Sequence, residues 1–78
     1  MKIYTLKDGV PKDIGKDVLV CWKHTDGLLR YGCQEAGSYY WNPEHIKPIL
    51  FWAYLNQDGE NSEERKRNFI DIVKFMQL

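Results

Sequence analysis

Four side chains in this 78-residue chain have metal-ligating chemistry: Cys21, His24, Cys33 and His45. Cys21 and His24 are separated by two residues, but no CxxC knuckle accompanies them, and structural zinc sites are usually built on such a pair. The set reads as two small buried hydrophobes and two polar histidines. Nucleophilic catalysis needs a nucleophile beside a base, or convergent carboxylates. Ser38 and Ser62 fall in a turn and at a helix start. Asp8, Asp13, Asp17, Asp26 and Glu35 fall at loops and strand ends, where acids serve solvation. The six glycines are scattered singly, so no phosphate-cradling loop is present. A chain this short has little room for a deep pocket. The expectation is a non-enzyme with no cofactor and no metal.

Recognition chemistry is better represented. Arg65-Lys66-Arg67 and Lys74 can meet phosphates, but Glu60, Glu63 and Glu64 beside them make a solvated helix face. Lys23, Arg30, Tyr39 and Trp41 suit either base stacking or an aromatic-anchored protein interface. The chain has 11 basic and 11 acidic residues and a formal charge of zero. That balance lacks the electrostatic footprint of a nucleic-acid coat or a polybasic membrane protein and favours a protein partner. Aromatics reach 14% of the chain, a composition that folds rather than staying disordered. One small domain over residues 1–78 is expected, burying roughly 60% of its unfolded surface. The longest apolar run, residues 49–55, is far short of the ~18 residues of a membrane helix. The N-terminus lacks a signal-peptide core, so a cytoplasmic protein is expected.

These side chains need elements to hold them. Residues 2–6 suit a short strand, ended by the turn-forming Lys7-Asp8-Gly9-Val10-Pro11. Asp17-Val18-Leu19-Val20-Cys21-Trp22-Lys23 is the clearest strand. Asp26-Gly27 suits a two-residue hairpin turn, with residues 28–34 returning. A second tight turn at Ala36-Gly37 leads to residues 38–41. This register pairs Trp22 with Tyr31, Val20 with Cys33 and Cys33 with Tyr40, and sends Cys21 and Cys33 to opposite faces. One face then carries Val18, Val20, Trp22, Leu29, Tyr31, Cys33 and Tyr40. The other carries Lys23, Arg30, Tyr39 and Trp41, with Trp41 over Gly32. Lys23 opposite Arg30 counts against the register, and a three-residue bulged loop is the alternative.

Asn42-Pro43 begins a short helical turn that Pro48 ends. Residues 49–55 suit a central strand covered on both faces, and residues 56–60 a polar loop. Residues 61–77 form the helix, capped by Asn61, with Glu63 placed to pair with Arg67 and a stripe of Phe69, Ile70, Val73 and Met76. The layout is α+β: an antiparallel meander of three to five strands over about residues 2–55, with the helix on its apolar face. Lys23, Arg30, Tyr39 and Trp41 are then the partner-binding set on the uncovered face.

Lys7-Asp8-Gly9-Val10-Pro11, Gly15-Lys16-Asp17-Val18-Leu19-Val20, Gly37-Ser38-Tyr39-Tyr40-Trp41 and Phe51-Trp52-Ala53-Tyr54-Leu55 together resemble a short, uncharacterised family of phages and prophages. Its members share an LP…G.DVLV opening and a close like HWMPLP; Ala53 and Tyr54 stand where that family has Met-Pro. The resemblance covers about residues 3–56 and excludes the helix. It implies a phage or mobile-element setting, a host protein in a bacterial cell as partner, and a role such as stoichiometric inhibition of host defence, anti-CRISPR proteins included. Val18-Leu19-Val20-Cys21-Trp22, Asp26-Gly27 and Tyr31 are also similar to the first strands of Tudor-like barrels. That resemblance implies an aromatic cage of Trp22, Tyr31 and Tyr40, which the register above would instead bury beneath the helix.

Overall fold

The computed structural model describes residues 2–55 and 61–77. β1 (Asp17–Lys23) is the β-branched and aromatic run, buried along four consecutive residues. A run buried on successive positions must be covered on both faces, and β1 lies at the centre of the sheet. β2 (Leu29–Glu35) and β3 (Ile49–Tyr54) flank it, both antiparallel, in the order β2-β1-β3. The α+β class, the antiparallel sheet of three strands and the C-terminal helix are as the sequence indicates, but the sheet is not a meander, because β3 returns to pair with β1 rather than with β2.

The first hairpin differs by one residue. Trp22 pairs with Arg30, Cys21 with Tyr31 and Leu19 with Cys33. His24 N–H donates to the Leu28 carbonyl at 2.9 Å, and Gly27 N–H to the His24 carbonyl at 2.9 Å. Thr25-Asp26-Gly27 is thus the three-residue bulged loop, with Gly27 at φ 84°. Three contacts favour it. The Asp26 carboxylate accepts the Leu28 N–H at 2.8 Å and an Arg30 guanidinium N–H at 2.6 Å. Lys23 now faces Leu29 rather than Arg30. Gly32 meets the Trp22 indole, whose carbons lie 3.5 Å from where a Cβ would stand. The aromatic cover of Gly32 is therefore Trp22, not Trp41.

Because strand side chains alternate, this shift exchanges the faces of β2. Leu19, Cys21, Tyr31 and Cys33 face α2 (Ser62–Gln77), and Val18, Val20, Trp22, Arg30 and Gly32 face away. Cys21 and Cys33 therefore share a face, and both thiols are free. Phe51, Ala53 and Leu55 complete the helix-side core around Phe69 and Val73. A bulge where Trp22 meets Ile49 turns Ile49 to the opposite face, with Trp52 and Tyr54.

That opposite face is also covered. Residues 38–41 are not a strand paired with β2. Tyr39–Trp41 is a 3-10 turn, followed by α1 (Pro43–Ile46), capped by Asn42 accepting the Glu44 N–H at 2.9 Å. Trp41 and Ile46 bury against Val18, Val20 and Trp52. The N-terminal segment joins this layer. Tyr4 makes a single bridge to Trp52 rather than a strand, with reciprocal backbone bonds of 2.8 Å, and its ring stacks on the indole at 4.4 Å. A 3-10 turn at Leu6–Asp8 follows, capped by Thr5. The Trp52 indole N–H donates to the Gly9 carbonyl at 3.1 Å, and the Tyr54 hydroxyl accepts from the Lys12 and Asp13 N–H groups at 3.1 and 3.3 Å. Aromatic polar ends thus hold the N-terminal loop onto the sheet.

β3 is consequently an outer strand, although both its faces are covered. Asn61 caps α2, accepting the Glu64 N–H at 2.7 Å. The expected polar loop at residues 56–60 lies outside the described residues.

Candidate functional site

The four residues expected to share a binding face are not brought together. Lys23 lies on the helix side of the sheet and Arg30 on the other, since their pairing partners Leu29 and Trp22 face opposite ways. Arg30 is engaged by Asp26. Tyr39 is 79% exposed with its ring edge-on to His45 at 5.5 Å. Trp41 is only 8% exposed, and its indole N–H donates to the Glu35 carbonyl at 3.0 Å. The expected open face is absent because the chain after Gly37 folds over it. The aromatic cage of Trp22, Tyr31 and Tyr40 does not form either: Trp22 and Tyr31 lie on opposite faces of an open sheet.

Open apolar surface lies instead where α2 crosses the sheet. α2 buries Phe69 and Val73 completely but leaves Phe75 and Met76 exposed. Its buried row begins with Arg65, 2% exposed, whose guanidinium donates to the Tyr54 carbonyl at 2.8 Å. Sequence reasoning missed that role, because an arginine in a charged run reads as solvated. At the hairpin end, Leu28, Leu29, Leu50 and Met76 line a groove of about 410 Å³, with Lys23 at its rim. Leu50 reaches this side because it is the extra residue of the β3 bulge. The available sequence signal was Leu28-Leu29 directly after Gly27: a bulged loop leaves one of two adjacent leucines outside the core.

Nearer the start of α2, a second depression of about 180 Å³ opens between β2 and the helix. Leu19 and Phe69 are its buried floor, and Tyr31, Cys33, Lys66 and Ile70 surround it. Lys66 contacts Glu63 at 3.8 Å, between exposed side chains. Glu63 thus reaches Lys66, one residue before the expected Arg67.

Burial pushes the Cys21 thiol up to about 11. Cys33 is also raised, by burial first and then by Asp17, with Lys66 opposing. Both thiols are therefore protonated near neutrality, the opposite of an activated nucleophile. Asp26 is held low, mainly by the Leu28 N–H, with Arg30 and His24 adding to it against some desolvation. This carboxylate serves the hairpin. Among the described residues, no group of three or more His, Cys, Asp and Glu side chains is placed to hold a metal ion. No described helix is long and apolar enough to cross a membrane.

No family model, curated protein or solved structure matches the chain.

Proposed function

We propose that this chain is a non-enzymatic protein-interaction module. The carrying observation is the exposed apolar rim of Leu28, Leu50 and Met76 around the hairpin-end groove, in a molecule that covers both faces of β1 and β3. Apolar side chains gathered at a concave surface and rimmed by polar groups suit a protein partner. Zero net charge and the protonated thiols support binding rather than phosphate contact or nucleophilic chemistry. The resemblance of residues 3–56 to phage and prophage proteins supports a host protein as the partner. It also supports stoichiometric inhibition of host defence, in the manner of anti-CRISPR proteins, as the effect. The nucleic-acid alternative relied on Lys23, Arg30, Tyr39 and Trp41 sharing one face, and that support is gone.

A pull-down from bacterial lysate with mass spectrometry tests this reading, run beside a Leu50→Glu, Met76→Glu double variant. Both positions are exposed, so each change should alter stability by about 0.5 kcal/mol or less. The expected outcome is one predominant protein, captured by the native chain, depleted at least tenfold with the folded variant, and retained as salt is raised. Capture of nucleic acid that falls steeply and log-linearly with salt would instead establish the alternative.

A further inference from the structure

The open edge of β2 specifies what kind of partner it can take. In an antiparallel pair, alternate residues direct both backbone polar groups at the neighbouring strand, and the rest direct theirs away. His24 N–H bonds the Leu28 carbonyl, and Ala36 N–H bonds the Lys16 carbonyl at 2.8 Å. The pairs at both ends of the ladder are therefore hydrogen-bonded, so Arg30, Gly32 and Gln34 bond to β1. Leu29, Tyr31, Cys33 and Glu35 point their N–H and C=O groups outward. The Glu35 carbonyl is taken by the Trp41 indole and by the Ser38 N–H at 3.2 Å. Leu29, Tyr31 and Cys33 present theirs along the edge. β3 differs, since Tyr4 occupies its outer side.

Edge strands are commonly protected by proline, lysine, a bulge or a covering segment. Within Leu29–Glu35 there is no proline or lysine, and the register runs unbroken. The 180 Å³ depression lies directly beside this edge, between β2 and α2. An apolar cavity of about 150 Å³ holds a benzene-sized group, so this one suits a single leucine or phenylalanine side chain. The one charged residue in its lining is Lys66. Its contact with Glu63 is long and exposed, so it exchanges easily for a partner carboxylate.

We infer that β2 binds an extended segment of another protein by strand addition. One large apolar side chain of the segment enters the groove between β2 and α2, and an Asp or Glu two residues away meets Lys66. This rests on the interaction-module reading and names the form of the partner. A second copy of this chain fits less well. The five residues from Leu29 to Cys33, at ~3.4 Å each and with strands ~4.8 Å apart, give a strip of only about 80 Å². A stable dimer needs about 800 Å² per partner, whereas a short peptide needs only the backbone ladder and one anchor.

The probe is the synthetic peptide Ac-TEVLVET-NH2, titrated into the uniformly ¹⁵N-labelled protein. Its leucine is the anchor, and a glutamate lies two residues to either side. Shifts should concentrate at the amides of Leu29, Tyr31, Cys33 and Ile70. N-methylating the peptide at alternate residues, in the phase that faces β2, should weaken binding at least about tenfold, because it removes ladder donors and leaves the side chains intact. Lys66→Glu should weaken it at least about fivefold, and Lys66→Arg should restore it. Cys33→Pro should abolish it without removing a β1 bond, since that N–H points outward; circular dichroism checks the fold. No shifts at millimolar peptide, shifts confined to the Leu28–Leu50–Met76 groove, or an N-methylated peptide that binds equally well would overturn the inference. Edge shifts that appear on raising protein concentration without peptide would overturn it in favour of a second copy. The lysate capture and its Leu50, Met76 dependence stand or fall separately.

Discussion

Several residues have roles that their type alone does not announce. Arg65 is a charged residue used as a buried cap on the Tyr54 carbonyl, and Trp22 uses its indole to fill the space left by Gly32. Cys21 is a buried thiol whose pKa rises from an ordinary 9.0 to about 11. Its proton is held more tightly in the folded state than in the unfolded chain. The resulting stability is complete below about pH 9 and is lost as pH rises toward 11. The urea midpoint should therefore hold up to about pH 9 and then fall, and Cys21→Ala should flatten that fall. Cys33 and Tyr40, both also raised by burial, should leave a shallower decline in the variant, beginning near pH 9 with the thiol and continuing above pH 10 with the phenol.

At the scale of elements, the first hairpin decides the most. A two-residue turn at Asp26-Gly27 and a three-residue bulged loop at Thr25-Asp26-Gly27 differ by one register step, and that step chooses which face of β1 joins Tyr31 and Cys33 beneath α2: Leu19 and Cys21 rather than Val18, Val20 and Trp22. Gly27 sits at φ 84° with nothing within 4 Å of an added Cβ, so the only penalty of a side chain there is conformational. Gly27→Ala should cost about 1 kcal/mol in chemical denaturation while the β1–β2 pairing in cross-strand NOEs stays unchanged. NOEs linking Trp22 to Tyr31 as direct partners would show that the slip had been reversed.

For the whole molecule, the decisive feature is that β1 and β3 are covered on both sides, while β2 stays largely exposed. α2 closes one face through Phe69 and Val73; the N-terminal loop, the Tyr39–Trp41 turn and α1 close the other through Trp41, Ile46 and Tyr4. Phe69→Ala and Trp41→Ala should therefore be comparably severe, each about 3–5 kcal/mol. A domain of this size has about 5–15 kcal/mol in total, so either change can bring it near unfolding. Tyr39→Ala, two residues from Trp41 but exposed, should stay within about 0.5 kcal/mol. Thermal denaturation of the three variants side by side measures both expectations. A Trp41→Ala protein as stable as Tyr39→Ala would mean that the second layer does not hold.

Local patterns determined the three sheet strands and the helices, but not the segments at residues 2–6 and 38–41, which are a single bridge at Tyr4 and a 3-10 turn rather than strands. The β-branched run of β1, the Asn61 cap and the Asn42-Pro43 helix start are signals carried by neighbouring residues, and each appears where its spacing indicated; of the stripe Phe69, Ile70, Val73 and Met76, Phe69 and Val73 are buried, while Met76 is exposed. Only the tertiary structure decided which faces those elements share. Hairpin register depended on Asp26, Gly32 and Trp22 meeting across two strands, a set of contacts with no local signature. The course of the chain after Gly37 depended on the Trp41 indole reaching the Glu35 carbonyl and on an apolar sheet face still needing cover. An aromatic residue looks the same in sequence whether it anchors a partner or closes a core. Trp41 matches the first by type and spacing and is the second, because only long-range packing tells whether another layer of the same chain already occupies that surface. The groove beside β2 is legible only in three dimensions for the same reason: it exists where α2, crossing the sheet, stops short of the edge.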